Sequence, residues 1–221
     1  MPALPIPSIR LFPTWKPAGV APVALRQIQP DDAAALQGFV RALSPASRYM
    51  RFHGALNELS DAMLQGATRV DQRTHVAFVL TVMEHGTEQI VGEARYAASS
   101  DGETAELGIA VADAFRGLGL AERLLAALID AARAAGLRWL VGEVLAGNVR
   151  MFAFMRRCGF APTTRGGLEP GLVRMERSVA RPMPVTQAAG SWTGVAHRRV
   201  HCLLAALLPS LRGAGSVFQP F

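Results

Sequence analysis

The stretch that most constrains this chain is residues 105–132, AELGIAVADAFRGLGLAERLLAALIDAA. An apolar, strand-like run ends at Val111. A short polar turn then carries Arg116, Gly117, Leu118, Gly119, Leu120 and Ala121, and leucines follow at helical spacing. A strand feeding a glycine-rich turn that opens a helix presents backbone N–H groups with no intrahelical acceptor, at the positive end of the helix dipole. Such a turn suits an anion, above all a phosphate. Its glycines let the anion approach without a Cβ in the way. Taken alone, a G-x-G turn is equally an ordinary strand-to-helix connection. The turn lacks the Lys-Ser/Thr of an NTPase P-loop, and Glu122 stands where a dinucleotide fold needs its third glycine.

The flanking pattern supplies a sheet for this turn. Residues 23–28 read as a short strand. Pro30, Asp31 and Asp32 then open a helix with Leu36, Phe39, Val40 and Leu43 on one face. Ser44-Pro45 stops it and starts a short helix through Arg48, Tyr49 and Phe52. Ser60 or Asp61 caps another, with Met63 and Leu64 inward. Residues 75–83 and 89–96 form a hairpin about Glu84-His85-Gly86, and Ser99 to Gly102 turns the chain into a third strand, 104–111. Leu120, Leu124, Leu125, Leu128, Ile129 and Ala132 make the apolar stripe of the long helix, ended by Gly136. A buried strand over 137–145, a helix over 148–157 ended by Gly159, and a last strand over 172–179 complete the pattern. One strand–helix–strand crossover inside an antiparallel meander predicts an α/β fold, a mixed and mostly antiparallel twisted sheet with helices on both faces.

Composition narrows the setting. Half of the 221 residues are hydrophobic, enough for a packed core. The net charge of +6 is uneven: beyond Ser178 there are arginines at 181, 198, 199 and 212 and no acids. No dense basic run supports nucleic-acid binding. Two cysteines, Cys158 and Cys202, give no disulfide framework, and no apolar run is long enough to span a bilayer. The expected setting is the cytoplasm, without a membrane or nucleic-acid partner. The expected organisation is a Pro-rich arm over 1–21, with an edge strand near residues 9–12, one domain over 22–180, and a basic tail over 181–221. One short apolar segment in that tail, 200–211, is a helix candidate. His197, His201 and Cys202 have metal-like spacing but read more simply as surface residues, so no metal is expected.

Three separated blocks resemble one family. Arg116-x-x-Gly119-x-Ala121 resembles the cofactor turn of the GNAT superfamily of acetyl-CoA-dependent N-acyltransferases. Asn148 through Gly159-Phe160 resembles its second conserved helix, and LRQIQPDDAAAL resembles its first strand and helix. The resemblance spans about residues 22–180. It is closest to the GNAT domains of bacterial protein lysine acetyltransferases, through SPASRYMRFHGAL (44–56), 105–125 and LVGEVLAGNVRM (140–151). It implies acetyl-CoA as co-substrate. The pyrophosphate would lie on Arg116, Gly117, Leu118, Gly119, Leu120 and Ala121, and the pantetheine along Leu107, Ile109, Ala110 and Val111. Further contacts would come from Asn148 and Met151. It also implies Glu106 as the catalytic base.

The residues can be read beside that resemblance. Leu107 and Ile109 share one strand face; Glu106, Gly108 and Ala110 share the other, which is small apart from its carboxylate. A glycine inside a strand marks a bulge or a closely approaching ligand. An isolated Glu there is otherwise a solvated edge carboxylate. Asn148 is a helix N-cap, a ligand contact, or both. Glu143 is a second base candidate, read more simply as the partner of an arginine. Arg48, Tyr49 and Arg51 shape an acceptor entrance, although core packing accounts equally for Tyr49 and Phe52. Met155 stands where many family members carry a tyrosine acid, and it cannot donate a proton. Cys158 reads as a small core residue. Three functions remain: acetylation of a protein lysine, such as one on an acyl-CoA synthetase; acetylation of a small amine or amino acid; and acyl-CoA sensing without turnover.

Overall fold

The computed structural model describes residues 14–17, 21–164 and 170–180. The expected edge strand near residues 9–12, the helix over 200–211 and the His197, His201, Cys202 set lie outside the described residues.

The element order is β1 (Val23–Gln27), α1 (Ala33–Ala42), α2 (Pro45–Phe52), α3 (Asp61–Thr68), β2 (His75–Glu84), β3 (Thr87–Ala98), β4 (Thr104–Val111), α4 (Leu120–Ala134), β5 (Trp139–Leu145), α5 (Val149–Arg157), β6 (Ala161–Pro162) and β7 (Leu172–Ser178). Short 3₁₀ turns precede α1 (Pro30–Asp32) and α4 (Asp113–Phe115). Local chemistry sets the boundaries. Ser44 Oγ accepts from Ser47 N, Ser60 Oγ from Met63 N and Asn148 Oδ1 from Met151 N, so these residues cap α2, α3 and α5. Ahead of α1, Asp32 is pinned by Arg26 at 2.7 Å and accepts from the Gln29 amide at 2.7 Å. The β2–β3 hairpin turns on His85 (φ 49°) and Gly86 (φ 79°), a pair of positive φ angles that matches strand twist.

The strands form one sheet in the order β1-β2-β3-β4-β5-β7-β6. Only β4 and β5 run parallel; the other neighbours are antiparallel. The mixed sheet expected from the sequence is present, with a core on each face. On one face Phe78, Leu80, Tyr96, Leu107 and Ile109 pack against the α4 stripe and against Phe154 and Met155 of α5. On the other, Ala77, Val79 and Ile90 meet Leu36, Phe39, Val40 and Met63 of α1 and α3. Gly92 lets α4 close on the sheet: a Cβ there would sit 3.1 Å from Leu80 Cδ1 and 3.3 Å from Leu124 Cδ1.

Strand ends move by one or two residues from the expectation, with β3 running over Thr87–Ala98, and three other expectations shift. The strand expected over 137–145 begins at Trp139, because Gly136 (φ 80°) and Leu137 belong to the connection leaving α4. The helix expected over 148–157 begins at Val149, with Asn148 as its cap. Core packing accounts for Phe52, which is buried, but not for Tyr49, which is 48% exposed. The two-residue β6 carried no readable signal at its length.

Candidate active site

β4 and β5 pair over only three rungs, Thr104 with Trp139, Ala105 with Leu140 and Glu106 with Val141. Beyond Glu106 the pairing ends, and the strands bound a wedge. Leu107, Gly108 and Ile109 form one wall, and Gly142, Glu143 and Val144 the other. Met155 closes the bottom; a Cβ on Gly142 would come within 2.8 Å of Met155 Cε. Met50, Arg51, Phe52 and His53 at the end of α2 cover the wedge, which has a free volume of about 40 Å³. A larger cleft of about 780 Å³ also borders α2, Ile109 and Met151 and runs past the β4–α4 turn and the start of α5.

The structure brings most of the expected cofactor residues to these two cavities. Ile109, Ala110 and Val111 line the cleft from β4, while Leu107 lines the wedge. Arg116, Gly117, Gly119, Leu120 and Ala121 line it from the turn, and Asn148 and Met151 from α5. Leu118 lines neither cavity and instead packs against the core. Gly119 is the N-cap of α4 at φ 73°, where no side chain caps the helix. Gly117 is also left-handed, at φ 75°. A Cβ at either position would meet nothing within 4 Å, so the glycines serve backbone conformation and access rather than packing. Arg51, Arg116, Arg150 and Arg157 line the cleft against one acid, Glu122, which gives the cavity the sign suited to a polyphosphate.

Glu106 is 5% exposed, at the last paired rung and therefore at the vertex of the wedge. Its register with Ala97 and Val141 places it on the sheet face of Glu93, Arg95 and Glu143. It has an interaction of its own and does not line the wedge or the cleft. Glu143 does line the wedge, and Arg174 donates to it at 3.3 Å, the arginine partner expected from the sequence. Cys158 is partly buried; burial pushes its thiol pKa up, with Glu122 adding to the shift, which disfavours a thiolate. Among the described residues no group of three or more His, Cys, Asp and Glu is placed to hold a metal ion. None of the described helices is long and apolar enough to cross a membrane.

The α2 side of the site was only partly readable. Arg51 is 5% exposed at its side chain and donates Nη2 to Glu93 Oε2 at 3.2 Å. Arg95 Nε donates to the other oxygen of the same carboxylate. Burial pushes Glu93 up, but Arg95 and Arg51 beside it outweigh that and hold the carboxyl below its usual range. Two charges two residues apart in an otherwise apolar strand were the available signal for this network. A second link ties α2 to the glycine turn. Asp113 accepts from the Ser44 amide at 3.0 Å and the Ser47 hydroxyl at 2.8 Å, and Arg116 reaches both Asp113 (2.6 Å) and Ser47 (2.7 Å).

A splayed parallel strand pair beside an uncapped, glycine-opened helix is the arrangement expected if the resemblance to acetyl-CoA-dependent acyltransferases holds. Comparison with known proteins gives the family. The Acetyltransferase (GNAT) domain profile matches residues 23–161, and the chain belongs to that family of acetyl-CoA-dependent acetyltransferases. It is 36% identical over 138 residues to acetyltransferase PA5475 of Pseudomonas aeruginosa, covering 62% of this chain and 74% of that one. It is 34% identical over 94 residues to the L-methionine sulfoximine/L-methionine sulfone acetyltransferase of the same organism. That match covers 41% of this chain and 55% of the relative. Among solved structures, the GNAT domain of S. lividans PAT superposes with a TM-score of 0.65 at 28% identity, covering 72% of this chain and 91% of that one.

Proposed function

We propose that this acetyltransferase moves the acetyl group of acetyl-CoA directly to a primary amine, with Glu106 as base and a protein lysine as acceptor. The observation that carries the cofactor half is the β4–β5 wedge leading into the cleft with the open amino end of α4. The pyrophosphate lies on the backbone N–H groups of the Gly117–Ala121 turn, and the pantetheine runs along the unpaired part of β4, where strand N–H and C=O groups face the gap.

The chemistry needs a base. A lysine amine with a pKa of about 10.4 is mostly protonated at pH 7, which costs the neutral nucleophile about 4.6 kcal/mol. Glu106 removes that proton through a water at the vertex of the wedge. The amine nitrogen attacks the thioester carbon, the new C–N bond forms, the C–S bond breaks, coenzyme A leaves as its thiolate, and the surplus proton of the acylated nitrogen passes to water. Met155 offers no proton, and a thiol with a pKa of about 8.5 leaves without one. A carboxylate base contributes roughly 10²–10⁴ in rate. Glu106→Gln therefore lowers kcat at least a hundredfold and leaves coenzyme A affinity within about threefold. Full activity in that variant, with loss of activity in Glu143→Gln, reassigns the base to the carboxylate that lines the wedge.

The protein-lysine acceptor is supported by the three blocks shared with bacterial protein lysine acetyltransferase domains and by the likeness to S. lividans PAT. The similarity to a methionine sulfoximine/sulfone acetyltransferase favours a second reading, a free amino acid. Thiol release measured against a panel of amino acids, small amines and an acyl-CoA synthetase separates the two. Turnover on free amines alone rejects the protein acceptor.

A further inference from the structure

Met155 borders the wedge but offers no proton to the reaction. It is 1% exposed and sits on α5, whose start is fixed by the Asn148 cap. The far end of that helix is closed by the Phe160 amide, which donates to the Met155 carbonyl at 2.9 Å. Its side chain has no room to swing aside. A Cβ on Gly142 would come within 2.8 Å of Met155 Cε and 3.6 Å of Leu107 Cδ1, so the methionine tip already fills the space under β5. The wedge lies between two strands and therefore has two sides. His53 and Glu143 make one side polar, toward α2. Leu107, Val144 and Met155 belong to the core packed against α4 and α5, and they make the other side apolar. Met50, Ile109, Asn148 and Met151 border both cavities and mark the end open to the cleft. Leu107, Gly142, Val144 and Met155 border the wedge but not the cleft, and they close the apolar side. The free volume of about 40 Å³ is room for about three water-sized groups, the number of heavy atoms in an acetyl group.

We propose that Met155 sets the acyl-chain length this enzyme accepts, admitting acetyl and refusing butyryl and longer chains. The inference rests on the reading of the wedge as the acyl-transfer site. With the pantetheine entering from the cleft, the acyl carbons lie against the apolar side and the amine approaches from the polar side. Each added methylene then meets Met155, Leu107 and Gly142. These walls have no slack: Leu107 is 4% exposed and Val144 3%. Extra methylenes in a well-packed site force side chains off their rotamers. One methylene in an apolar pocket is worth roughly 10–200-fold in kcat/KM. Truncating Met155 to alanine removes Cγ, Sδ and Cε. The space they leave adjoins the wedge, and because a packed core collapses only in part around such a deletion, it takes the two further carbons of a butyryl chain.

The test is equilibrium binding by calorimetry, which needs no turnover, with free coenzyme A and with acetyl-, propionyl-, butyryl- and hexanoyl-CoA. Wild type should bind acetyl-CoA about tenfold or more tighter than butyryl-CoA, with propionyl-CoA between them. Met155→Ala should bring butyryl-CoA within about threefold of acetyl-CoA and leave the affinity for free coenzyme A within about threefold of wild type. Met155→Leu, which conserves volume, should keep the wild-type order. Melting curves verify that each variant is folded; if Met155→Ala does not fold, the smaller truncation Met155→Val and the wild-type series decide. Wild-type affinities for acetyl-CoA and hexanoyl-CoA within about threefold of each other overturn the proposal, as does a folded Met155→Ala that keeps the wild-type order. Failure of the acyl-transfer reading has a different signature: the binding order holds, but no acyl-CoA releases its thiol with any amine or with an acyl-CoA synthetase.

Discussion

Replacing Glu93 by Gln is the most informative perturbation of the scaffold. The side chains of Arg51, Glu93 and Arg95 are 5%, 4% and 8% exposed, so one buried carboxylate separates two buried guanidinium groups. Gln keeps the shape and removes the charge, so no cavity term enters. Two cations then face each other in a site of low dielectric, and breaking a buried ion pair on one side costs about 3–5 kcal/mol. For a chain of this size each kcal/mol shifts Tm by roughly 2–4 °C, so the variant should melt about 6–20 °C lower. Glu88→Gln is the control. Glu88 also pairs with an arginine, but it is 43% exposed and Arg26 keeps Asp32, so its loss should cost about 1 kcal/mol or less. Urea unfolding at constant m and thermal melting measure both. The pH dependence has a definite sign. The folded pKa of Glu93 lies below its unfolded value of about 4.3, so its stabilisation is present above that value and is lost as pH falls through the folded pKa. The gap between wild type and Glu93→Gln should therefore narrow in acid. A variant within about 1 kcal/mol of wild type at pH 7, or no worse than Glu88→Gln, refutes the reasoning.

Other substitutions probe the cleft and the core. Gly119→Ala forces an alanine into φ 73° and should cost about 1 kcal/mol in stability, with a measurable rise in the coenzyme A Kd by calorimetry. Asn148→Ala removes the cap on the Met151 amide and should cost about 1 kcal/mol; an accompanying rise in coenzyme A Kd would show that Asn148 also touches ligand. Leu124→Ala, at a fully buried position of α4 against the sheet, should cost about 2–5 kcal/mol in urea unfolding.

Much of this architecture is legible in the sequence because its signals are local. The alternation in 104–111, the leucine stripe from Leu120 and the caps at Ser44, Ser60 and Asn148 each report on a few neighbouring residues, and they agree with one another. The side of the cleft formed by the glycine turn was legible for the same reason: turn, strand and cap are contiguous motifs. The α2 side was not. Arg51 and Glu93 are 42 residues apart in the chain, and nothing in either neighbourhood announces their contact. The same holds for Asp113 reaching back to Ser44 and Ser47. The burial of Glu106 was likewise hidden. A lone Glu in a strand looks solvated until β5 is known to lie beside it.

The three-rung pairing of β4 with β5 has a consequence beyond this reaction. Past Glu106 and Val141 each strand has an unfinished edge, and unfinished edges ordinarily recruit strands from other chains and seed aggregation. Here the two edges face each other inside the domain, with Met155 below and α2 above. A foreign strand, with side chains on both faces, finds no room between them. The adjoining cleft of about 780 Å³ has room for a single thin arm along the β4 edge. The enclosure that shields these edges from self-association thereby also filters ligands by cross-section, admitting a linear chain where a folded polypeptide is refused.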